Sequence, residues 1–420
     1  MSNPSEYPIL PPAKNSSAVA QDLLRACVHC GFCNATCPTY QLTGDEREGP
    51  RGRLYLMKDL LAGAAAGADL APLAHCLGCR SCETTCPAGV HYGEILDTVR
   101  EHTEERRPAL QRALDRVSEA LLGARTPLAT VMRTARALRP IAPKALKQRI
   151  LPSTKGLRWP AVRHARRVGL LIGCIQPALR PDLDVKAAIV LDHLGISAQP
   201  LGPACCGALP YHLQAHEKGR ARALQALALG TADELQGVTS TATGCTAFLR
   251  DYGRLLQDTD QAARAQSFAA TVTDLAAWID PARLPLLPPP LRRDIAWHAP
   301  CSLQHALKGA LRIEAILQAL GHKLVPTADP ALCCGSAGPY SLRHPRLARA
   351  LGRRKWQALT GASPALVVTA NIGCQQHLAS HGDRPVVHWL DLVYEALTNP
   401  DRAGRDSEYR ADPAPPSRAS

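Results

Sequence analysis

Two short runs of cysteine near the start of the chain carry the strongest chemical signal in the sequence. Each run has the spacing C-x2-C-x2-C-x3-C followed by proline, at residues 27–38 and 76–87. In this spacing three cysteines of a run bind one iron–sulfur cubane and the fourth binds the neighbouring cubane. The pattern predicts two [4Fe-4S] clusters in preference to structural zinc, whose ligands usually come as two separated pairs.

The crossed spacing also predicts which thiolates share a cluster. We expect one cluster to bind Cys27, Cys30, Cys33 and Cys86, and the other to bind Cys76, Cys79, Cys82 and Cys37. Three further polar residues, His29, His75 and Arg80, lie inside or beside these loops. They either tune the cluster potentials through charge and hydrogen bonds or simply face solvent.

The remaining cysteines form an internal repeat whose two copies begin 127 residues apart. In each copy a single cysteine is followed by Cys-Cys-Gly and then by a last cysteine. The copies comprise Cys174, Cys205, Cys206 and Cys245, and Cys301, Cys333, Cys334 and Cys374. Four convergent thiolates could bind an additional cluster, form a redox-active thiol pair or be inert buried residues, and the sequence leaves these alternatives open.

Apolar runs precede the first and last cysteine of each copy, as in VGLLIGC and ALVVTANIGC. They are separated by helical patterns at 183–194 and 342–359. This alternation predicts βαβ units with parallel strands. We expect the cysteines to lie in loops at the strand ends, where open α/β sheets bind ligands. Between the two cysteine runs, RLYLMKDLLAG predicts a helix.

These patterns divide the 420 residues into several parts, as expected for a chain of this length. The low aromatic content, 4%, leaves alanine and leucine to fill the cores and favours helices. The predicted parts are an N-terminal extension (1–20), a helical cysteine-rich unit (21–100), a basic helical connector (101–165), a first module (166–280), a proline-rich linker (281–293), a second module (294–396) and a disordered tail (397–420).

The formal charge of +13 is concentrated in one segment. Residues 106–167 contain sixteen Lys and Arg but only two acidic residues, a net charge of +14. This segment either docks an acidic partner or an anionic membrane leaflet, or is a solvated and screened surface. We predict no nucleic-acid partner, because Trp159 alone could stack on bases there.

The sequence also limits the location and chemistry of the chain. No apolar stretch is long enough to span a bilayer, no export signal is recognisable, and sixteen cysteines favour a reducing, cytoplasmic compartment. Neither a G-x-G-x-x-G fingerprint nor a Walker A motif appears. We therefore predict no catalytic residue in this chain and expect the two-electron chemistry on a partner.

Residues 166–396 resemble a pair of the CCG domains found in heterodisulfide reductase and in complexes that oxidise glycolate, lactate or glycerol 3-phosphate. The whole chain resembles the iron–sulfur subunits of bacterial glycolate oxidase (glycolate dehydrogenase), and Gly49-Pro50-Arg51-Gly52-Arg53-Leu54-Tyr55 looks like that family's signature. The resemblance implies an α-helical dicluster ferredoxin domain followed by two repeated α/β CCG modules. It also implies flavin-containing partner subunits that oxidise glycolate to glyoxylate, while this chain passes electrons to a quinone-type acceptor at the cytoplasmic face of the inner membrane.

The chain departs from the CCG pattern in one respect. The fullest version of the module ends in C-x-x-C, whereas here the endings are Cys245-Thr-Ala-Phe248 and Cys374-Gln-Gln-His377. One ligand per module is therefore absent, which argues against the non-cubane cluster associated with disulfide reduction. The alternative functions are the equivalent subunit of a lactate-oxidising or glycerol-3-phosphate-oxidising complex, and a thiol-disulfide reductase similar to heterodisulfide reductase.

Overall fold

A computed structural model of the chain describes residues 16–64, 69–103, 109–123, 125–141, 150–151, 153–230, 234–287 and 291–398. Most of the predicted N-terminal extension, and all of the predicted tail except residues 397–398, lie outside the described residues. Among the helices described, none has both the length and the apolar composition needed to cross a bilayer.

The first hundred residues form a unit of short helices around the two cysteine runs. These are α1 (Ser16–Arg25), α2 (Phe32–Ala35), α3 (Pro38–Thr43), a 3-10 turn (Glu46–Glu48), α4 (Pro50–Leu61), α5 (Ala71–Ala74), α6 (Ser81–Thr85) and α7 (Tyr92–His102). Helix α4 is the one predicted from RLYLMKDLLAG, and proline is well tolerated at its first position, where the N–H has no helical partner. Leu54 and Met57 of α4 pack with Ile95 and Val99 of α7. The N-terminal helix α1 packs on both, so the folded unit already begins within the predicted extension.

The described part of the basic connector contains two helices, α8 (Ala109–Gly123) and α9 (Arg125–Leu138), followed by a 3-10 turn (Arg139–Ile141). The buried Asp115 of α8 pairs with Arg343 at 3.3 Å, and Arg136 of α9 donates to the Ala178 and Leu179 carbonyls. The connector is therefore held to both modules, and Arg136 shows that some of its basic charge is used in internal contacts.

Each module contains a small parallel sheet, as the alternation of apolar runs and helical patterns predicts. The strands are β1 (Arg166–Leu171), β2 (Ile196–Leu201) and β3 (Val238–Thr239) in the order β2-β1-β3, and β4 (Asp294–His298), β5 (Lys323–Leu324), β6 (Leu366–Thr369) and β7 (Val386–His388) in the order β5-β4-β6-β7. The strand pairs within both sheets are parallel.

Helices connect and flank these strands. They are α10 (Gln176–Leu179), α11 (Leu183–His193), α12 (Ala208–His212), α13 (His216–Leu229), α14 (Thr243–Arg250), α15 (Tyr252–Leu255) and α16 (Ala262–Thr271), then a π-helix (Ser302–Leu307), α17 (Ala310–Ala319), α18 (Tyr340–Arg343), α19 (Pro345–Thr360), α20 (Ile372–Ala379) and α21 (Trp389–Thr398). Short 3-10 turns at Leu275–Trp278 and Pro281–Arg283 lead towards the second module.

The prediction that the module cysteines lie in loops is wrong for the last cysteine of each copy and for Cys301, which has helical backbone angles at the start of a π-helix. Cys245 lies in the first turn of α14 and Cys374 in the first turn of α20. The apolar runs that precede them end as strands at Thr239 and Thr369, and the chain turns into a helix within four residues. The Cys-Cys pairs do lie in loops, as predicted.

The two modules share one hydrophobic core. Val168 and Leu170 of β1 lie in the same buried cluster as Ile295 of β4, Val368 of β6 and Trp389 of α21. Helix α11 of the first module packs directly on α21 of the second. The repeat is therefore a single packed body of two sheets.

A buried ion cluster crosses this shared core. Asp391 of α21 accepts hydrogen bonds from Arg180 at 2.8 Å and Lys186 at 2.7 Å, and both cations also pair with Asp182. Burial alone would raise the pKa of Asp391, but the two cations lower it on balance. Charges buried in this way are tolerated because each one is paired.

We predict that Asp391→Ala lowers the free energy of unfolding by about 3–5 kcal/mol, because it leaves two buried cations short of a partner. Since the folded pKa of Asp391 is lowered, its stabilisation is present above the unfolded pKa and is lost as the pH falls through the folded value. Urea unfolding at neutral and acidic pH measures both effects.

The matched control is Glu395→Ala on the same helix. Glu395 pairs with Arg293 at 3.0 Å, but 38% of its side chain is exposed, so its loss should cost less than about 1 kcal/mol. Equal destabilisation by the two variants would contradict the importance of the buried cluster.

Candidate metal centres

The first cysteine run lines a small, partly open cleft. Cys27, Cys30 and Cys33 face this cleft together with Cys86, the last cysteine of the second run. Leu54, Val90 and Tyr92 supply apolar walls. Thus the structure places Cys86 with the first run.

The second cleft contains the reciprocal set of cysteines. Cys76, Cys79 and Cys82 line it together with Cys37, the last cysteine of the first run. Both clefts share Pro50, Cys82 and Tyr92 in their walls. The two thiol groups are therefore immediate neighbours.

Left-handed backbone conformations turn the thiols of each run inward. The φ angles are +54° at His29 and +84° at Gly31 in the first loop, and +64° at Gly78 and +60° at Arg80 in the second. These are the same two positions of each motif. Only glycine adopts this region without strain, and other residues pay about 1–2 kcal/mol.

Contacts from outside the loops hold the two strained side chains. His29 stacks on Tyr55 with ring centroids 4.2 Å apart, and Arg80 pairs with Asp251 of the first module at 2.5 Å. The third polar residue, His75, lies 2.7 Å from a Glu48 carboxylate oxygen. Each of the three side chains is only partly exposed and has a specific partner, which favours a role in supporting the loops.

The Gly-Pro-Arg-Gly-Arg segment brings α4 against the loops. A Cβ at Gly49 would lie 2.5 Å from Asn34 Oδ1, and one at Gly52 would lie 2.2 Å from the Glu46 carbonyl oxygen. Any side chain at these positions would push α4 away. Because α4 lies this close, Arg53 lines the second cleft.

Arg53 is buried and makes a hydrogen bond with every part of its guanidinium group. It donates to the Pro72 carbonyl at 2.6 Å, to Thr39 at 3.0 Å, to Glu48 at 2.8 Å and to Cys37 Sγ at 3.7 Å. Burial alone would lower the pKa of Arg53, but neighbouring Tyr92, thiols and Glu48 raise it above its usual value. A permanent cation therefore lies beside a thiol of the second cleft.

Seven of the eight thiols in the two clefts are partly or fully buried, whereas Cys30 is exposed. Burial, reinforced by neighbouring Cys27, raises the pKa of Cys33 to about 11, and burial raises that of Cys82 well above its usual value. Such thiols lose their protons when a cation binds them, so loading the clefts with metal releases protons.

In the first module, the structure brings all four repeat cysteines together. Cys174 Sγ lies 3.6 Å from Cys205 Sγ, Cys205 contacts Cys206, and Cys206 contacts Cys245. The hydrogen bond from Cys174 lowers the pKa of Cys205 and raises that of Cys174. Phe248 and other apolar side chains surround this group.

The thiols of the second module also form one group, and this group adjoins the second cleft. The Cys301 thiol contacts those of Cys333 and Cys79, while Cys334 contacts Cys333 and Cys374. A 2.9 Å hydrogen bond between Thr84 and His305 braces the same interface. The thiol group of the second module therefore lies beside the second cleft.

Sequence reasoning missed two buried polar residues beside these thiols, His298 and Lys355. His298 ends β4 within DIAWHAPC, and its ligating nitrogen lies within 4.8 Å of the Cys334 and Cys374 sulfurs. Lys355 is fully buried on α19 and donates to the Asp329 and Pro330 carbonyls. A histidine at the end of a predicted strand, three residues before a repeat cysteine, is the signal that could have identified the first of them.

Comparison with known proteins matches both parts of the chain. Residues 23–90 match the 4Fe-4S dicluster domain, and residues 168–250 and 295–379 each match the cysteine-rich domain named CCG. This combination of fold and thiol groups defines an iron–sulfur protein of the dicluster and cysteine-rich class.

Curated relatives narrow that class. The chain is 43% identical to the glycolate oxidase iron-sulfur subunit of Escherichia coli K12, over 91% of this chain and 97% of that protein. It is 28% identical to the probable glycolate oxidase iron-sulfur subunit of Bacillus subtilis (88% and 93%) and 26% identical to a subunit of the anaerobic glycerol-3-phosphate dehydrogenase of E. coli K12 (88% and 98%). The chain belongs to the family of glycolate oxidase iron-sulfur subunits, as the sequence resemblance predicts.

We predict that Arg53→Met shifts the reduction potential of one cluster to more negative values and weakens iron retention. The variant removes a positive charge and a hydrogen bond from the sulfur of Cys37, and both favour the reduced cluster. Redox titration followed by electron paramagnetic resonance measures the potentials, and iron analysis measures the retention.

Arg51→Met is the matched control, because Arg51 is partly exposed and pairs with Glu46 at 2.6 Å. Arg51→Met should not change the reduction potential of the cluster that responds to Arg53→Met. A shift of the same size in both variants would indicate a general effect of surface charge and not the contact with Cys37.

Proposed function

We propose that this chain is the iron–sulfur electron-transfer subunit of a complex that oxidises glycolate. The observation that carries the proposal is the 43% identity over 97% of the E. coli glycolate oxidase iron-sulfur subunit. The glyoxylate-forming step takes place on flavin-containing partner subunits, and this chain conducts electrons away from them.

The eight N-terminal cysteines hold two [4Fe-4S] clusters with crossed ligands. One cluster binds Cys27, Cys30, Cys33 and Cys86, and the other binds Cys76, Cys79, Cys82 and Cys37. Support comes from the two neighbouring clefts, each of which is lined by one of these sets. The soft thiol donors, the inward-turned loops and the buried Arg53 cation fit an anionic iron–sulfur cluster.

When bound, the clusters supply one-electron redox chemistry, and the residues of this chain determine how that chemistry is used. The shared wall of Pro50, Cys82 and Tyr92 keeps the two centres adjacent and excludes water between them. The exposed Cys30 brings the first cleft to the surface, where a partner can exchange electrons. The contact between Cys79 and Cys301 connects the second cleft to the second module.

The electrons leave for a quinone-type acceptor, with the chain held peripherally on the cytoplasmic face of the inner membrane. The excess of Lys and Arg in residues 106–167 supports docking to an anionic leaflet. No nucleic-acid role follows from this charge, for lack of stacking aromatic side chains.

Crossed ligation can be tested with two double variants. Cys37→Ser with Cys82→Ser removes two ligands of one cluster, so about four of the expected eight irons should remain. Cys33→Ser with Cys37→Ser removes one ligand from each cluster and should lose nearly all iron. Iron analysis of anaerobically purified protein provides the measurement.

Crossed ligation would be contradicted if the first double variant lost more iron than the second. If each run held its own cluster, the pair at Cys33 and Cys37 would lose only one cluster and the pair at Cys37 and Cys82 would lose both. Retention of all iron by either double variant would contradict the ligand assignment itself.

The substrate is tested on the native complex purified with its flavin-containing partners. Glycolate added in the absence of oxygen should reduce the clusters and bleach their absorbance. Lactate and glycerol 3-phosphate should do so much more slowly. Faster reduction by either of those substrates would assign the chain to the corresponding complex. Disulfide reduction by the isolated chain would favour the thiol-disulfide reductase alternative, for which the 3.6 Å approach of Cys174 to Cys205 is the relevant observation.

A further inference from the structure

The second module contains a buried histidine whose position is that of a metal ligand. His298 is only 1% exposed, and its Nε2 atom has no hydrogen-bond partner among the described residues. A buried polar atom without a partner is costly and calls for an explanation. Here the unpartnered nitrogen belongs to a side chain that lies beside two buried thiols, those of Cys334 and Cys374.

The other ring nitrogen of His298 is fixed in the way typical of metal-binding histidines. Its Nδ1 atom lies 3.0 Å from the hydroxyl of Thr369, on the adjacent strand β6. A hydrogen bond at one ring nitrogen orients the ring and leaves the other free for a metal. Strand pairing places His298 directly opposite Thr369, so the sheet itself positions the imidazole.

The three ligand atoms have the spacing of a single-ion site. All lie within 4.8 Å of one another. Two thiolates bound to one tetrahedral zinc ion, at about 2.3 Å each, are about 3.8 Å apart. A contraction of at most about 1 Å therefore closes the site. Cys333, whose thiol contacts that of Cys334, is available as a fourth ligand.

The first module lacks this arrangement, although its cysteines converge in the same way. Aligning Cys174 with Cys301 places Leu171 at the position of His298. Leu171 is buried in the apolar cluster that also contains Cys206, Phe248 and Tyr252. The two copies of the repeat thus differ in the residue that decides whether a nitrogen ligand is present.

From this geometry we propose that His298, Cys334 and Cys374 bind one divalent metal ion of the zinc class in the second module, and that the first module has no equivalent site. Imidazole with soft thiolates is a donor set that zinc prefers. The site depends neither on the substrate of the complex nor on the ligation of the two N-terminal clusters.

The test uses the full chain, purified without oxygen, and measures zinc and iron per chain in three variants. His298→Leu introduces the residue that the first module has at the corresponding position, and should lose zinc while keeping the iron of the wild type. His298→Cys supplies another zinc ligand and should retain the metal. His322→Leu is the control, because His322 is also buried in the second module with an unpartnered Nε2, and it should keep both metals.

Replacing the bound metal with cobalt tests the same site independently by absorption spectroscopy. Protein produced with cobalt should show the charge-transfer and visible bands of a tetrahedral cobalt–thiolate site, and His298→Leu should abolish them. Absence of zinc from the wild type, or retention of zinc and of the cobalt spectrum by His298→Leu, would overturn the proposal. Loss of iron in place of zinc would also overturn it, since His298 would then belong to an iron–sulfur centre.

Discussion

The structure of the N-terminal unit depends on a reciprocal exchange, in which each cysteine run contributes its last cysteine to the cleft of the other run. Cys37 leaves the first run to line the second cleft, and Cys86 leaves the second run to line the first. The proline after Cys37 begins α3 and turns the chain away from the clefts. This exchange requires α4 to pass close to both loops, which explains the glycines at positions 49 and 52 and the burial of Arg53 beside the thiols.

The repeated modules show how one fold can serve two purposes. Both copies gather four thiols at the carboxyl edge of a parallel sheet, and both are fused through one hydrophobic core and the buried ion cluster at Asp391. Their surroundings differ. The first thiol group lies among aromatic and aliphatic side chains, whereas the second lies beside His298 and Lys355 and contacts the second cleft through Cys301. Duplication therefore supplied two similar scaffolds, and among the described residues it is the second whose thiols adjoin the N-terminal clefts.

Much of this architecture could be predicted from the sequence, because cysteine spacing and apolar alternation are local signals. These signals predicted the helix α4 and the parallel strands that precede Cys174 and Cys301. Together with the motif after the first cysteine run, they also indicated the family to which the chain belongs. Other features depend on contacts between distant residues. The partner of Arg80 lies at Asp251, 171 residues away, and no local pattern indicates that pairing. The helical position of Cys245 was missed because the apolar run before it ends earlier as a strand than its composition suggests. His298 was missed because a single histidine acquires meaning only when the fold brings Cys334 and Cys374 beside it.

We propose that two iron–sulfur clusters occupy adjacent clefts with a shared wall. Electron paramagnetic resonance of the fully reduced chain tests it most directly, because paramagnetic centres this close broaden and split each other's signals. Adjacent clusters should give a spectrum that contains this magnetic interaction and cannot be reproduced by adding two independent cluster signals. Two unperturbed signals, a single cluster, or a folded chain that contains no iron after preparation without oxygen would contradict it.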